Sequence, residues 1–162
     1  MKPILYMQSD PKWASHDYSA AGEKTTIKAE GCGITCAAMV IATLADKNVT
    51  PITTAEWSKK NGYKAKGQGT YYSYFKPQGA AYGIEITMLN STNIYGSPAS
   101  KYHDMAKAAI ENGDLVIACM GKGNWTTSGH YVLLYGLDGG RMIPGPLSRR
   151  RQMLISIYAK VR

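Results

Sequence analysis

The clearest hydrophobic pattern lies in residues 34–45 (ITCAAMVIATLA), where apolar side chains recur at intervals of three and four residues. Further apolar residues widen this stripe, so the segment is predicted to be a helix that is buried over most of its surface. Residues 53–63 (TTAEWSKKNGY) predict a second, shorter helix, with Pro51 just ahead of it. Thr53 or Thr54 is the expected N-cap of this helix.

The second half of the chain contains several strand patterns and one further helix. Residues 99–114 predict this helix, with Ser100 as its cap and Gly113 as its end. Asp138-Gly139 is typical of a hairpin turn. Helices grouped ahead of an antiparallel sheet indicate the α+β class. The predicted strands are 82–89 (YGIEITML), 115–120 (LVIACM), 130–137 (HYVLLYGL) and a short return strand at 141–143 (RMI).

The length of 162 residues predicts one compact domain over residues 1–162, with room for two lobes. No apolar run approaches the roughly 18 residues of a membrane span, so no membrane span is expected. The first residues, MKPILYMQSDPKW, lack the long apolar stretch of a signal peptide. We therefore expect the chain to be cytoplasmic when it is synthesised, and to need another route to act outside the cell.

Positive charge is the strongest compositional signal. The formal net charge is +8, and no acidic residue follows Asp138. An excess of positive charge favours anionic partners such as cell-wall polymers, membrane surfaces or nucleic acid. The alternative is a solubilising face with a basic tail.

The segment EGCGITC (residues 30–36) contains two of the three cysteines. An odd number of cysteines does not suggest a disulfide framework and is typical of a reducing compartment. Cys32 stands between Gly31 and Gly33, which allow tight turns and close approach by a ligand. At the start of a helix, the dipole and the unpaired N–H groups favour a thiolate, so Cys32 is a candidate nucleophile.

The other two cysteines have a different setting. Cys36 lies one turn deeper on an apolar face, and Cys119 belongs to a predicted buried strand, so both are expected to be packed thiols. A zinc site made by the three cysteines and His130 is the competing interpretation. It is disfavoured because the first two thiols are four residues apart rather than in a CxxC knuckle.

Three motifs in a fixed order resemble the bacterial and phage cysteine peptidases of family 39. These motifs are Gln8 in YMQSDPKW, GCGITCAAMV at residues 31–40 and GHYVLLYG at residues 129–136. Members of this family are papain-like enzymes related to the double-glycine leader peptidases of bacteriocin exporters. The resemblance covers about residues 5–138, and residues 139–162 form an atypical basic tail.

The resemblance implies a papain-like α+β fold and a catalytic role for each matched residue. Cys32 would be the nucleophile, His130 the general base and acid, and Gln8 an oxyanion-hole donor. The resemblance implies no cofactor, and the thiol should require reducing conditions. His16, in a polar loop, and His103, on a polar helix face, match no family position and are expected to be solvated.

One position departs from the family pattern. Family members usually carry an Asp or Asn followed by Pro to orient the imidazole, and here the best-aligned residue is Gly145 in RMIPGPLS. A hairpin centred near Asp138 would place positions 145–147 opposite the histidine. Asp138 itself is eight residues from the histidine, or roughly 26 Å along a strand. Ser148, Asn124 or a carbonyl group could orient the ring instead.

The substrate is expected to be a peptide, with Trp125, Gly31 and Gly33 as candidate contacts. The aromatic residues of 71–75 could line a cleft or fill the core. A basic chain without an exporter domain resembles a prophage lysin, so peptidoglycan peptides are the favoured substrate and other peptides come next. Two other functions stay open: a catalytically impaired binding module on the same fold, and a nucleic-acid-binding protein, which is disfavoured because no recognition motif is present.

Overall fold

The structure is a computed structural model, and helices combined with antiparallel strands confirm the α+β class. Contacts divide the chain into two compact units, here called the helical unit (residues 2–85) and the sheet unit (residues 86–162). No helix among the described residues is long and apolar enough to cross a membrane. The structure describes residues 2–89, 97–121, 129–145 and 156–161, with the backbone alone for 97–100 and 156–161.

The helical unit is built around one buried helix. This helix, α2 (Cys32–Leu44), buries every residue from Gly33 to Ala42, as its nearly continuous apolar surface predicts. A short helix, α1 (Ile27–Glu30), leads directly into it. The remaining elements of the unit are α3 (Pro51–Lys60), the two-stranded hairpin of β1 (Lys64–Ala65) and β2 (Gly69–Thr70), a 3-10 turn (Tyr72–Tyr74) and α4 (Phe75–Ala80).

Helix α3 begins earlier than the sequence pattern suggested. Thr50 is its N-cap and Pro51 its first residue, so the expectation of Thr53 or Thr54 as cap was wrong. The Thr50 N–H donates to the Thr53 hydroxyl at 3.3 Å, so Thr53 supports the cap from inside the first turn. Proline suits this position because its missing N–H would have no intrahelical partner there.

A five-stranded antiparallel sheet forms the sheet unit. The strand order is β3-β7-β4-β5-β6, and helix α5 (Ser97–Glu111) contacts β4, β5 and β7. Helix α5 begins three residues before Ser100, so Ser100 is not its cap. The strands are β3 (Ile86–Thr87), β4 (Leu115–Met120), β5 (His130–Asp138), β6 (Arg141–Pro144) and β7 (Ser156–Val161).

The β5–β6 hairpin confirms a turn after Asp138, although its central residues are Gly139-Gly140 rather than Asp138-Gly139. Asp138 pairs with Arg141, and Gly139 and Gly140 between them have φ angles of 52° and 79°. Two consecutive positive φ angles define the type I′ turn, which matches the twist of an antiparallel pair.

The tail contributes a strand that the sequence reasoning did not predict. Strand β7 lies between β3 and β4 and pairs with both. The predicted strand at 82–89 is correspondingly short and is confined to Ile86–Thr87. Part of the basic tail is therefore an interior strand of the sheet. The core beneath the sheet is Ala106, Ala109 and Ile110 of α5 with Val116, Ala118, Met120, Val132, Leu134 and Met142 of the strands.

Candidate active site

Cys32 is the first residue of α2, which begins two residues before the helix predicted at 34–45 and so places the thiol at the expected helix start. Gly31 links the two helices: it ends α1, where its N–H donates to the Ile27 carbonyl at 2.8 Å, and it is the N-cap of α2. The Thr35 N–H and hydroxyl both donate to the Gly31 carbonyl, at 3.0 and 2.7 Å. The side chain of Cys32 is partly buried and not part of a disulfide. The partial positive charge of the helix start favours the ionised form of a thiol in this position.

Gly31 is required by close packing rather than by a left-handed backbone. Its φ is −91°, and a Cβ added there would lie 2.6 Å from the Ile27 carbonyl oxygen. Gly33 also lacks a positive φ and is buried inside α2. Neither glycine has a left-handed backbone, although Gly31 does serve the tight junction of α1 and α2, and ligand contact by the two glycines stays a prediction.

We expect Gly31→Ala to destabilise the protein by about 1–3 kcal/mol, because backbone atoms of Ile27 would have to move. The urea midpoint, followed by circular dichroism, measures this effect. Gly129→Ala is the matched control, since a Cβ at that position lies at an ordinary 3.8 Å from its nearest contact. Equal midpoints for the two variants would contradict the steric explanation.

The side chain of Gln8 is anchored to α1, the short helix that precedes the cysteine. Its side-chain Nε2 donates to the carbonyl oxygens of Ile27 and Lys28, at 2.9 and 3.0 Å. These bonds tie the N-terminal segment to α1 at two residues that lie five and four positions before Cys32. Both amide hydrogens are engaged, so oxyanion binding by Gln8 requires one bond to open or to be shared when substrate arrives.

Cys36 and Cys119 are buried, as expected, with 3% and 9% of their surface exposed. Cys36 lies inside α2 and Cys119 within β4. A thiol shielded from solvent in apolar surroundings is a poor nucleophile. Among the cysteines, Cys32 is therefore the best placed to react.

His130 is the first residue of β5, and its Cα partner is Met120 at the end of β4. Burial lowers the pKa of the His130 imidazole, because the charged form loses solvation. A neutral imidazole at pH 7 can accept a proton, which a general base must do.

We expect the His130 ring to titrate below pH 6.5, its ordinary value, when the Cys32→Ala variant is used to remove any thiolate charge. The imidazole should then stay neutral as the pH falls through 6.5. The pH dependence of the ring-proton NMR shift measures this midpoint, and His130→Gln assigns the signal. A midpoint at or above 6.5 would show that burial does not control the ring.

Gly145 does not lie opposite the histidine, contrary to the hairpin count from the sequence. Its N–H donates to the Leu133 carbonyl at 2.7 Å, three residues along β5 from His130. The difference arises because the turn is centred at Gly139-Gly140, one to two residues beyond the centre assumed near Asp138, and because the pairing shifts near Leu134. Asp138 stands at the opposite end of β5, as expected, so it cannot orient the ring.

Comparison with protein families decides the class of the chain. A model of the Peptidase_C39 like family matches residues 7–155, which is most of the sequence. The chain belongs to the peptidase C39-like family. Neither the curated proteins nor the solved structures gave a match.

Membership implies the papain-like fold for this C39-like chain and places it among the cysteine peptidases. The family match runs past residue 138, where the sequence resemblance ended, to residue 155. Part of the segment regarded as an atypical tail thus belongs to the family region. The roles of Cys32, His130 and Gln8 stay predictions.

The aromatic residues of segment 71–75 in the C39-like chain divide into one exposed and one buried pair. Tyr71 and Tyr72, which follow β2, are 50% and 43% exposed. Tyr74 and Phe75 are buried, at 0% and 1%. The cleft interpretation therefore suits only the first pair. Trp125, Asn124 and Ser148 lie outside the described residues.

His16 differs from expectation. Its Nε2 lies 2.7 Å from a Glu56 carboxylate oxygen, and 31% of its side chain is exposed, so it is paired and partly buried rather than solvated. His103 lies on α5 and is also partly buried. In the described ranges, no three His, Cys, Asp or Glu side chains are arranged to hold a metal ion.

Sequence reasoning missed a group of charged residues around the hairpin of the C39-like chain. Lys64 of β1 is 2% exposed and forms ion pairs with Glu23 and Glu30. No local spacing connects these three positions, which are 41 and 34 residues apart in the chain. Glu30 lies two residues before Cys32, so the group adjoins the candidate nucleophile.

Proposed function

We propose that this protein is a papain-like cysteine peptidase in which Cys32 is the nucleophile. The supporting observation is the position of Cys32: a partly buried thiol at the start of a long buried helix, behind a glycine that closely approaches α1. His130, whose pKa is lowered by burial, would serve as general base and acid, and Gln8 as oxyanion donor.

The proposed reaction breaks one amide bond in two steps. The neutral His130 imidazole takes the proton of the Cys32 thiol, the resulting thiolate attacks the carbonyl carbon, the C–N bond breaks, and the amine leaves with that proton from the His130 imidazolium. This step forms a thioester. Water then attacks the thioester while His130 takes its proton, and cleavage of the C–S bond releases a carboxylic acid and restores the thiolate. No cofactor takes part in this sequence.

The favoured substrate is the peptide portion of peptidoglycan, followed by other peptides. The net charge of +8 would draw the protein to anionic wall polymers. The exposed Tyr71 and Tyr72 support peptide binding, because they follow β2, which contacts α2. Tyrosine offers rigid area and a hydroxyl for hydrogen bonding. A protein with this substrate would be synthesised in the cytoplasm and released to reach the wall.

The test is mass spectrometry of fragments released from purified cell walls and from a peptide library under reducing conditions. Wall peptides with new termini, absent in the Cys32→Ala control, are the expected result. Cleavage of library peptides alone would keep the peptidase class and reject the peptidoglycan substrate. Identical fragments from both proteins would reject Cys32 as the nucleophile.

A binding module with impaired catalysis is the second candidate, and Gly145 favours it. This residue aligns best with the family's orienting Asp or Asn, but it has no side chain and its N–H pairs with Leu133 rather than with His130, so it cannot orient the imidazole. Loss of an orienting group can lower turnover by orders of magnitude while binding persists. Alkylation by iodoacetamide separates the two candidates: fast labelling of Cys32 relative to Cys36 and Cys119 supports the peptidase, and equally slow labelling supports the module.

Only the positive charge of the chain supports nucleic-acid binding. Removing residues 148–162 would be a poor test, because it deletes the interior strand β7. Replacement of Arg149, Arg150 and Arg151 by Gln changes the charge without shortening the sheet. Retention on DNA that this replacement abolishes would support the nucleic-acid function over the peptidase.

A further inference from the structure

A cluster of charged side chains around a buried lysine lies beside residues 30–32. These residues join α1 to α2 and are here called the Glu30–Cys32 corner. The Lys64 Nζ lies 2.6 Å from Glu23 Oε1 and 2.7 Å from Glu30 Oε2, and it donates to the Ala65 carbonyl at 2.7 Å. The contact with Glu30 is an ion pair without hydrogen-bond geometry, since Glu30 Oε2 has no hydrogen-bond partner. A lysine that is 2% exposed depends on these carboxylates for compensation of its charge. The Lys64 cluster is defined here as Lys64, Glu23 and Glu30.

Glu23 anchors the cluster to two further backbone segments. Its carboxylate accepts from the N–H groups of Ala20 and Gly67, both at 2.7 Å. The hydrogen bond from Lys64 and these backbone bonds lower the pKa of Glu23 to about 2. The carboxylate therefore stays ionised at any pH at which the protein would act.

The hairpin also packs directly on the corner. A Cβ at Gly69 would lie 3.0 Å from the Glu30 carbonyl oxygen, and the φ of Gly69 is +96°. The backbone of β2 thus touches residue 30, while the ion pair from β1 holds the side chain of the same residue. Residue 30 is constrained from both strands, and only Gly31 separates it from Cys32.

Tyr18 provides a second indication that these charges share one environment. Its ring lies 5.5 Å from the Lys64 Nζ, and its hydroxyl bonds to Ser58 and Thr70 at 2.9 and 2.7 Å. Burial raises the pKa of Tyr18 to about 12, and negative charge at Cys32 and Glu30 raises it as well. The thiol and the Glu30 carboxylate therefore both act on one phenol.

We propose that Lys64 is a positioning residue, which holds the Glu30–Cys32 corner through its buried ion pair and offsets the negative charge that would otherwise face the Cys32 thiol. One ammonium group compensates two carboxylates, so the cluster keeps one net negative charge. Removing either partner changes the local charge in a defined direction. The inference rests on the proposed function only in taking Cys32 as the reacting thiol.

The test compares two alkylating reagents of different charge at the Cys32 peptide, quantified by mass spectrometry. Iodoacetate is an anion and iodoacetamide is neutral. Lys64→Met leaves more negative charge and should lower the iodoacetate-to-iodoacetamide rate ratio about two- to fivefold. Glu30→Gln removes negative charge and should raise the ratio by a similar factor. Lys66→Met is the matched control, because Lys66 is exposed on the same hairpin and should leave the ratio unchanged.

Opposite changes of the rate ratio in Lys64→Met and Glu30→Gln distinguish an effect of local charge from a general loss of stability. A purely structural role would change both rates in proportion, so an unchanged ratio in Glu30→Gln overturns the proposal. This variant also keeps the test decisive if Lys64→Met does not fold. If the ratio does not change but Cys32→Ala abolishes hydrolysis, the positioning role is rejected and the peptidase function is retained. Conversely, shifted ratios with full hydrolysis by Cys32→Ala would reject the function and keep the cluster.

Discussion

Replacing Cys32 with alanine is expected to abolish amide hydrolysis, with a fall in kcat/KM on the order of 10⁴-fold or more. The thiolate forms the covalent bond to substrate, and no other cysteine can replace it. Cys36 lies on the same helix but is 3% exposed, and Cys119 belongs to the other unit. The measurement is the initial rate on a cleaved peptide at saturating and limiting concentrations.

Cys36→Ala is the matched control for this experiment. It makes the same chemical change one turn deeper in α2, where it removes a packed sulfur and leaves the helix start untouched. We expect this variant to lose some stability and to keep most of its kcat. The assignment of the nucleophile is wrong if Cys36→Ala is inactive while folded and Cys32→Ala is active.

Replacing His130 with alanine is expected to lower kcat/KM about 10²- to 10⁴-fold, the usual contribution of a general acid and base. The pH profile should lose its acidic limb together with the rate. His103→Ala is the control, because that ring lies on α5 and matches no family position. Activity that survives in His130→Ala but not in His103→Ala would reverse the assignment.

Proximity of the two proposed groups can be measured without activity. A bifunctional alkylating reagent with a three-carbon bridge should link Cys32 to His130 within one chain. Peptide mapping identifies the bridge, and Cys32→Ala should prevent it. Labelling of Cys32 without a second attachment to His130 would show that the ring does not meet the thiol in solution.

The fold was predictable wherever local pattern decides the structure. The helix at 34–45 and the hairpin after Asp138 follow from apolar spacing and from adjacent turn residues. Strand β7 was not predicted because the basic residues that flank it in the sequence are typical of a solvated tail. Its own letters, SIYAKV, do alternate apolar and polar positions at Ile157 to Val161, which is a usable strand signal.

The candidate site was predictable only in part. Cys32 could be located because glycine, cysteine and a helical pattern meet within a few residues. The role of Lys64 could not be predicted, because its partners Glu23 and Glu30 come from distant segments. A sequence also does not distinguish a buried lysine from a lysine on the surface. The bonds from Gln8 to α1 likewise depend on tertiary packing. Residue types suggest chemistry, but long-range pairing determines which groups are available.

The interior position of β7 has a consequence for biosynthesis. Residues 2–85 form their unit from one contiguous stretch, which can fold while the ribosome is still translating the rest. The five-stranded sheet cannot be completed until residues 156–161 have emerged, because β3 and β4 are joined only through β7. Newly made chains should therefore pass through a stage in which the cysteine-bearing half is ordered and inert, while the histidine-bearing half still lacks one of its interior strands.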